Sequence, residues 1–450
     1  MLFRKIEDAI YKHFTSKSDK ILMLTGARQT GKSFIINHVA SKIFKNVVEI
    51  NLIEDYDTDR LFESVSSIEE FHLRLSSIAG ERLGAKEETL VFLDEIQQYP
   101  RLLTLLKFLR QEGRYTYAVS GSLLGLTLKH TTSIPVGSLA LMHMCPLDFE
   151  EFLIANNVGR EAIEGMKKLF ESRKSLDEAL HNHIMSLFKR YLLIGGMPQA
   201  VQEFVNTRNL VTVRAIQNDI HRLYEADATK YDLEHRLHIA RIYEMIPYAM
   251  ESHKKRVVYR DIENKVKGRH SDYLKEFDFL SASGVALEVK AISNPSFPLI
   301  ESGVKNLLKL YLNDVGMLTG ILYRNNIKPV LDTECSVNLG SVYESVVAME
   351  LAAHGHRLFY YDNKKNGEVD FLIDDYYNLS AKPIEVKSGK DYTVHSALNR
   401  LLENKDYRLA EGVVLSNSRE VRQEGKVIYM PIYYVMFIDA KGSQETEILL

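Results

Sequence analysis

Gly26, Gly31, Lys32 and Ser33 complete the pattern G-x-x-x-x-G-K-[ST] in the segment ILMLTGARQTGKSFIINHVA. Glycines at these two positions let the backbone curl, so that its N–H groups and the start of the following helix surround phosphate oxygens. The lysine of this pattern reaches the β- and γ-phosphates, and the hydroxyl contacts Mg²⁺. The pattern predicts a nucleoside triphosphate site. The residues expected to line it are Gly26, Ala27, Arg28, Gln29, Thr30, Gly31, Lys32, Ser33 and Phe34.

An acidic pair, Asp94 and Glu95, ends the apolar run in LVFLDEIQ. Residues 90–93 are typical of a buried parallel strand, which would deliver Asp94 to the metal and Glu95 to the attacking water. The next strand-like segment, YAVSGS, ends in Ser120 and Ser122, which lie either between nucleotide and water or in a simple Gly-Ser turn. The predicted catalytic residues are Lys32, Glu95 and Ser120, and the predicted Mg²⁺ ligands are Ser33 and Asp94.

A second charged group lies in the segments GEVDFLID and KPIEVKSGK. Strand alternation puts Asp370 on the same face as Glu368 and Leu372. Glu385 and Lys387 share one face of the next strand, opposite to the apolar residues between and before them. If the two strands pair as a hairpin, these charged faces converge.

The converged residues form the motif D…E-x-K, which predicts a metal-dependent phosphodiester site. Asp370 and Glu385 would hold a divalent metal through oxygen ligands, with Glu344 on the preceding helix completing the shell. Lys387 would orient or help deprotonate the attacking water, so Asp370, Glu385 and Lys387 are the predicted catalytic residues. The motif is short, and a surface ion pair between Glu385 and Lys387 is the alternative.

The elements that must position the first site alternate between strands and helices. VVEINL, from Val47 to Leu52, adds a further strand, so the sequence predicts an α/β fold with a doubly wound parallel sheet and ATP at the carboxyl ends of its strands. After PLDFEEFL, residues 154–231 are helical and are expected to form a lid or connector. The turn in YLLIGGMPQAV is expected to bring side chains back over the nucleotide. Arg190, Arg214 and Arg222 in this segment are expected to be solvated.

Three helical segments and then strand-like pieces occupy residues 232–320, which is the element order of a winged helix. Seven cations against three acids precede the third helix, which predicts either salt-sensitive DNA contact or a solubilising face on a protein-docking module. The cations are Lys254, Lys255, Arg256, Arg260, Lys265, Lys267 and Arg269. From 321 to 450 the order helix, three strands, helix, strand is that of restriction-endonuclease-like folds. The predicted domains are 1–153, 154–231, 232–320 and 321–450.

The composition is that of a soluble enzyme: 450 residues, 45% hydrophobic, with a formal charge of −3. This length exceeds what one core usually holds and predicts three or four domains. The two cysteines, Cys145 and Cys335, provide neither a disulfide framework nor a zinc cluster, which favours a reducing compartment, the cytoplasm. No segment is predicted to span a membrane. VIYMPIYYVMFI is too short and is rich in strand-forming residues.

The chain resembles the bacterial and archaeal AAA-type ATP-binding proteins whose C-terminal half is a domain of unknown function with a restriction-endonuclease-like, PD-(D/E)xK-like end. The motifs that carry the resemblance span nearly the whole chain. They are GARQTGKS, LVFLDEIQ, VSGS, PLDFEEFL, YLLIGGMPQAV, QNDIHRLYE, KLYLNDVGML, the Glu344 helix, GEVDFLID and IEVKSGK. The resemblance implies an AAA-like core, ATP rather than GTP with Mg²⁺, the phosphate-loop residues with Asp94 and Glu95, and an endonuclease-like site at Asp370, Glu385 and Lys387.

One position departs from the family pattern. Relatives carry Gly-Arg before the proline of PLDFEEFL, whereas this chain has Ser138 in place of the arginine. If that arginine stabilises charge on the γ-phosphate, hydrolysis is expected to be slow or to need an arginine from another subunit. Nucleotide binding is unaffected by this departure.

Three functions remain open. In the first, ATP turnover switches a DNA-engaging machine whose C-terminal domain cuts or nicks. In the second, the C-terminal domain binds nucleic acid without cutting it. In the third, the ATPase acts on a protein partner, and DNA is irrelevant. The candidate partners are therefore ATP, DNA, a protein and a second copy of the chain, with no membrane.

Overall fold

The computed structural model describes residues 1–16, 18–122, 136–231, 235–252, 255–263, 269–302, 304–331, 339–389 and 391–440, with backbone alone at 136, 228–231, 260 and 304–305. Cys335, Lys254, Lys265 and Lys267 lie outside these residues, and so does the side chain of Arg260. The chain forms two compact units. One contains residues 4–145 and 282–285, and the other contains residues 1–3, 146–281 and 286–450.

The first unit is built on a five-stranded sheet in the order β2-β3-β4-β1-β5, and every pairing in it is parallel. The strands are β1 (Ile21–Thr25), β2 (Asn46–Asn51), β3 (Thr89–Asp94), β4 (Thr116–Gly121) and β5 (Leu139–His143). The helices are α1 (Ile6–Thr15), α2 (Lys32–Ile43), α3 (Leu52–Asp57), α4 (Ile68–Ala79) and α5 (Pro100–Glu112). The predicted parallel α/β sheet is confirmed.

Helices cover both faces of this sheet because its strands are apolar on both sides. Ile21 and Met23 of β1 lie in a core with residues of α4 and α5. Leu22 and Leu24, the alternate residues, lie in a second core with residues of α1 and α2. Such doubly covered strands are typical of parallel sheets, and the carboxyl ends of β1, β3 and β4 meet at one edge.

The second unit contains an eight-stranded mixed sheet in the order β12-β13-β11-β10-β9-β8-β6-β7. The strands are β6 (Ala286–Ile292), β7 (Val304–Leu312), β8 (Phe359–Asn363), β9 (Gly367–Asp375), β10 (Ser380–Lys387), β11 (Gly412–Ser416), β12 (Arg422–Glu424) and β13 (Val427–Pro431). The helices are α6 (Phe149–Ala155), α7 (Arg160–Glu171), α8 (Glu178–Ile194), α9 (Pro198–Thr207), α10 (Leu210–Tyr231), α11 (Arg236–Glu251), α12 (Tyr259–Glu263), α13 (Leu274–Ala282), α14 (Val315–Tyr323), α15 (Lys328–Leu331), α16 (Gly340–Ala353) and α17 (Ser396–Glu403).

Two predicted element orders are present in this unit. Helices α11, α12 and α13 precede the antiparallel hairpin of β6 and β7, as expected for a winged helix. Helix α16, strands β8, β9 and β10, helix α17 and strand β11 follow in the order expected of an endonuclease-like fold. Strand β6 also pairs with β8 in parallel, so the hairpin extends the C-terminal sheet. Assignment of these regions to the winged-helix and endonuclease-like classes stays a prediction, as do the four domain boundaries.

The apolar segment near the C-terminus is only partly a strand. Strand β13 ends at Pro431, and Ile432–Phe437 forms a 3₁₀ helix instead of the predicted continuation. Proline has no N–H to donate to a strand ladder, which explains the end of pairing at this residue. Among the residues that the structure describes, no helix has the length and apolar character needed to cross a membrane.

The paired glycines of YLLIGGMPQAV form a close contact with Asp314 of KLYLNDVGML. A Cβ on Gly195 would lie 2.1 Å from Asp314 Oδ1, and one on Gly196 would lie 2.0 Å from the Leu147 carbonyl oxygen. Asp314 caps α14 by accepting a hydrogen bond from the Met317 N–H at 2.9 Å, and it accepts another from the Gly196 N–H at 2.5 Å. Burial raises the pKa of Asp314 to about 6, although these N–H groups act in the opposite direction.

We expect Asp314→Ala to lower the free energy of unfolding by about 2–4 kcal/mol, because two buried N–H groups lose their acceptor. Asp177→Ala is the matched control: Asp177 is also a helix N-cap, accepting from the Leu180 N–H at 3.0 Å, but it is exposed. This control is expected to cost about 1 kcal/mol. Urea unfolding followed by circular dichroism measures both values, and equal costs would contradict the assignment.

The wild type and Asp314→Ala are also expected to differ in how their free energy of unfolding depends on pH. The folded-state pKa of Asp314 lies above its ordinary value of 3.8, so the folded chain binds the extra proton and gains stability as the pH falls through 6. The wild type should therefore gain about 1 kcal/mol relative to Asp314→Ala between pH 7 and pH 5. A difference that stays constant across this interval would contradict the prediction.

Candidate functional site

The phosphate loop connects β1 to α2 and has the backbone that its glycines permit. Gly26 has φ of 143°, and a Cβ there would lie 2.2 Å from the Met144 carbonyl oxygen. Gly31 has φ of 91° at the N-terminus of α2, and Gln29 is also in the left-handed region with φ of 65°. Any side chain at Gly26 would therefore have to displace the segment that follows β5.

Lys32 and Ser33 point into this loop. The buried Lys32 ammonium donates hydrogen bonds to the carbonyl oxygens of Gly26 at 3.1 Å and Ala27 at 2.9 Å, inside the curl of the loop. Burial lowers the pKa of Lys32, whereas the Glu95 and Asp94 carboxylates act against that shift. Ser33 Oγ donates to Asp94 Oδ2 at 2.5 Å. A hydroxyl and a carboxylate oxygen side by side fit the oxygen ligands that Mg²⁺ takes beside nucleotide phosphates.

Three further residues of the predicted phosphate site differ in burial and contacts. They are Thr30, Arg28 and Phe34. Thr30 is fully buried and donates to the Ala27 carbonyl at 2.9 Å, so it closes the loop on itself. Arg28 is partly buried and acts electrostatically against the charged form of Lys32. Phe34 is exposed, and its ring stacks on His38 of the same helix.

Arg4 also holds the phosphate loop in place, although it was not among the predicted site residues. Its guanidinium donates to the carbonyl oxygens of Thr30 at 3.1 Å and Cys145 at 2.6 Å. This residue lies just before α1, and no motif pointed to it. A buried arginine that binds two carbonyl oxygens fixes the loop and the segment after β5 in one arrangement.

Asp94 and Glu95 end β3 next to this loop, as predicted. Asp94 Oδ1 accepts from the Glu95 N–H at 3.1 Å and from the hydroxyl of Ser120 at the end of β4. Glu95 has φ of 55°, a conformation that costs an L-residue free energy and is concentrated at functional sites. Its Oε2 accepts from the Ser122 hydroxyl at 3.3 Å and from Gln97 Nε2 at 2.5 Å. Both predicted serines therefore contact the acidic pair.

Ser138 does not lie near the phosphate loop within its own unit. It immediately precedes β5, whose first residue pairs with Ile21 at the start of β1. The loop follows the last residue of β1, about 17 Å away along five extended residues. Ser138 instead contacts Arg110, whose guanidinium donates to its hydroxyl at 3.3 Å and to the Gly137 carbonyl at 2.9 Å.

The second unit brings the other predicted residues together around one cavity of about 380 Å³. Glu344 comes from α16, Asp370 from β9, and Glu385 with Lys387 from β10. Strands β9 and β10 pair in an antiparallel hairpin, as the prediction required. Asp370 Oδ2 accepts from the Val386 N–H at 2.8 Å, and Lys387 Nζ lies 2.8 Å from Glu385 Oε1. The predicted convergence is therefore present in the structure.

Strict strand alternation fails at Asp370. Leu372 pairs with Phe359, whereas Val369 pairs with Tyr361, so β9 has one extra residue between these pairs. Val369 and Leu372 consequently lie in the same core with Phe359 and Tyr361, and the prediction that Leu372 shares the face of Asp370 is wrong. A bulge of this kind re-aims side chains and is common next to active sites.

Two lysines that the motif did not contain neutralise the cavity. Lys255 pairs with Glu344 Oε1 and lines the cavity. Lys309 of β7 is almost fully buried, 2.7 Å from Glu368 Oε1 and 3.8 Å from Glu344 Oε2. Burial works against the charge of Lys309, but Glu344 and Glu368 outweigh it and raise the pKa. A lysine inside the apolar strand KNLLKLYL was the only signal for it.

Two carboxylates of the cavity, Asp370 and Glu385, resist ionisation. Burial raises the pKa of Asp370 well above its usual range, and the charges of Glu344 and Glu385 add to this effect. Burial also raises the pKa of Glu385, against the opposing effect of Lys387. Glu385 Oε2 is buried without a hydrogen-bond partner among the described residues. Crowded acidic oxygens with one left unsatisfied fit a divalent cation, which would replace the missing positive charge.

Two members of the cation cluster predicted to contact DNA form ion pairs within this unit. Arg256 lies 2.9 Å from Asp362 Oδ1 and pairs with Glu368, and Lys255 pairs with Glu344. These two charges are therefore already neutralised. Arg269 is exposed before the 3₁₀ turn His270–Tyr273, and the three lysines outside the described residues carry no structural statement.

The three arginines predicted to be solvated in the helical segment differ in exposure. Arg190 and Arg222 are exposed, as predicted. Arg214 is buried, and its guanidinium donates to the carbonyl oxygens of Leu193, Gly316 and Arg324. The expectation that Arg214 is solvated is wrong, because the carbonyl groups at the ends of α8 and α14 need donors.

Comparisons with known proteins bear on these two sites. Residues 18–153 match the family model of an AAA domain. Residues 185–327 and 339–435 match two domains of unknown function, DUF8612 and DUF4143. A search of the curated proteins gave no match. The chain therefore carries an AAA-type domain around the phosphate loop, which supports ATP binding. The winged-helix and endonuclease-like assignments stay predictions.

Solved structures show only distant similarity. The Walker-type ATPase PABY2304 of Pyrococcus abyssi is 14% identical with a TM-score of 0.43, over 71% of this chain and 95% of that one. The S. cerevisiae Hsp104–ADP complex is 14% identical with a TM-score of 0.29, over 63% and 38%. C. elegans PCH-2 is 13% identical with a TM-score of 0.26, over 44% and 58%. The chain thus spans less than two thirds of the last two proteins, and these scores carry no functional inference.

We expect Lys32→Met to weaken binding of Mg·ATP about 10- to 100-fold, because the phosphates lose a charged hydrogen-bond donor. Lys42→Met is the matched control on the same helix, where the ammonium is partly exposed and pairs with Glu7. Its affinity should stay within about twofold of the wild type. Isothermal titration calorimetry measures both, and equal affinities in the two variants would exclude Lys32 from the phosphate site.

Proposed function

We propose that the chain is an ATP-hydrolysing AAA-like switch whose C-terminal cavity holds a divalent cation, most simply Mg²⁺, and acts on a phosphodiester of nucleic acid. The proposed action on a phosphodiester is supported by one observation, the convergence of four residues on one cavity: Glu344, Asp370, Glu385 and Lys387. The three acids belong to three different elements, with Lys387 on the same strand as Glu385, and the fold brings them together at a cost in desolvation. A cost of this kind is typical of functional sites.

ATP hydrolysis requires a group that orients water and groups that stabilise charge on the γ-phosphate. Glu95 is suited to the first role, because Ser122 and Gln97 hold its carboxylate in one orientation at the end of β3. Lys32 supplies positive charge inside the loop, and Ser120 fixes Asp94. Mg²⁺, held through Ser33 and Asp94, would neutralise phosphate charge as water attacks and ADP leaves.

Glu95→Gln should lower the ATP hydrolysis rate by about 10²- to 10⁴-fold, because an amide cannot accept the proton of the attacking water. ATP affinity should remain near that of the wild type, since the loop is unchanged. Glu54→Gln, an exposed glutamate at the start of α3, is the control and should hydrolyse ATP normally. Phosphate release under saturating ATP measures the rate. An unchanged rate in Glu95→Gln would remove this residue from the mechanism.

In the C-terminal cavity, Glu344, Asp370 and Glu385 would hold the cation through their carboxylate oxygens. A bound cation supplies Lewis acidity at a phosphodiester oxygen and favours deprotonation of water. Lys387, whose ammonium lies 2.8 Å from Glu385 Oε1, would orient the attacking water or help to deprotonate it. Burial of Glu344 and Glu385 strengthens the interactions of their carboxylates, because little water screens them.

Asp370→Asn should abolish Mg²⁺- or Mn²⁺-dependent cleavage of DNA, by about 10²-fold or more, because an amide replaces a charged ligand at the centre of the cavity. Asp406→Asn, an exposed aspartate in the same unit, is the control and should cleave like the wild type. Supercoiled and single-stranded DNA, with and without ATP, are the substrates. Equal cleavage by both variants would exclude this cavity as the source of the activity.

A second candidate function is an ATP-gated nucleic-acid binder that does not cut. It is favoured by the ion pairs of Lys255 and Lys309 with Glu344, which already neutralise one would-be metal ligand. Gel-shift binding at low salt without cleavage in either metal would select this function. Absence of any DNA binding at low salt, where phosphate contacts are strongest, would instead point to a protein partner.

A further inference from the structure

A separate group of possible metal ligands lies at the start of α11 and on α13. His235, His238 and Glu276 each direct one ligand atom to within 4.8 Å of the others. His235 immediately precedes α11, His238 is on its first turn, and Glu276 is on the first turn of α13. None of these residues lines the acidic cavity or the phosphate loop. Two imidazoles and a carboxylate are a ligand set that zinc sites use.

Glu276 is the centre of the group. Its Oε1 lies 2.8 Å from His235 Nδ1 and 3.3 Å from His238 Nδ1. The side chain is 1% exposed, and Oε2 has no hydrogen-bond partner among the described residues. A buried carboxylate oxygen without a donor is costly, and a bound cation would remove that cost.

His238 supplies an independent argument, because both of its ring nitrogens face carboxylates. Nε2 lies 2.6 Å from Glu263 Oε1, and Nδ1 faces Glu276. A neutral imidazole can donate from only one nitrogen, so the other would meet an oxygen lone pair. A second proton or a metal ion must therefore lie between this ring and one of the two carboxylates. The contact with Glu263 is the arrangement in which a metal-bound histidine donates its other N–H to a carboxylate.

We propose that His235 Nδ1, His238 Nδ1 and Glu276 bind one divalent transition-metal ion, with Zn²⁺ as the best fit, and that Glu263 orients His238. Imidazole donors favour Zn²⁺ over Mg²⁺ and Ca²⁺, which prefer all-oxygen shells. The ion joins the start of α11 to α13 and leaves a coordination position for water. This site is independent of the proposed ATP and phosphodiester chemistry.

The test uses the untagged full-length chain, stripped of metal with a chelator and then titrated with Co²⁺ and with Zn²⁺. Visible ligand-field absorption reports Co²⁺ in a nitrogen and oxygen shell, and calorimetry gives the Zn²⁺ stoichiometry. With Mg²⁺ in excess to occupy the acidic cavity, we expect one equivalent of Zn²⁺ or Co²⁺ in the wild type. Glu276→Gln and His238→Ala should lose it, whereas Glu263→Gln should keep it with about 10- to 100-fold weaker affinity.

Two matched controls separate this site from others. His183→Ala removes an exposed histidine of α8 and should bind the full equivalent. Glu385→Gln alters the acidic cavity and should also retain it, which distinguishes this proposal from the proposed function. Circular dichroism confirms that each variant is folded. Failure of the folded wild type to take up one equivalent, or full uptake by Glu276→Gln and His238→Ala, would overturn the proposal.

Discussion

Carboxylates taken out of water set the constraints on both units. A buried carboxylate is stable only when N–H groups, a cation or a proton compensates its charge, and each of these solutions occurs here. Asp94 is held by two serine hydroxyls and a backbone N–H, and Asp314 by the N–H groups of Gly196 and Met317. Asp370 accepts the Val386 N–H but lacks full compensation, since Lys255 pairs with Glu344, and Lys309 pairs with Glu368 and Glu344. That difference separates the supporting acids from the one suited to hold a ligand.

Helix α16 shows how packing positions the cavity. Residues Ser341 to Leu351 are all buried, so the helix runs through the second unit with few alternatives for its rotation. Glu344 faces the cavity, and Glu350, almost two turns later, accepts a hydrogen bond from the Phe149 N–H at 2.8 Å. This N–H belongs to the start of α6, which has a capping box formed by Asp148 and Glu151. The PLDFEEFL motif therefore fixes the helix that carries Glu344.

The residues that could be predicted are those whose local pattern carries the chemistry. Glycine spacing fixed the phosphate loop, and alternation of short apolar runs predicted the parallel sheet. The Glu385 and Lys387 pair was found because a hairpin has few registers once one face is buried. The strand face of Leu372 was predicted wrongly, because the bulge in β9 results from its pairing with β8 and is not visible in the alternation of residues along the sequence. Arg214 was misjudged for a related reason: its carbonyl partners come from α8, α14 and the residue after α14.

By itself, the sequence determined the backbone of the predicted phosphate loop and which acids follow which strands, because these depend on backbone conformations that only certain residues adopt. Only the tertiary structure decided which charges neutralise one another. Lys255, Lys309 and Arg256 are distant from Glu344 and Glu368 along the chain. The pair of Lys309 and Glu368 exists because strands β7 and β9 belong to one sheet, and the other pairs join that sheet to α16 and to the segment before α12. The same holds for His238, whose carboxylate neighbours come from two other helices. Burial strengthens the interactions between these charged side chains, and their burial depends on the whole fold rather than on neighbouring residues in the sequence.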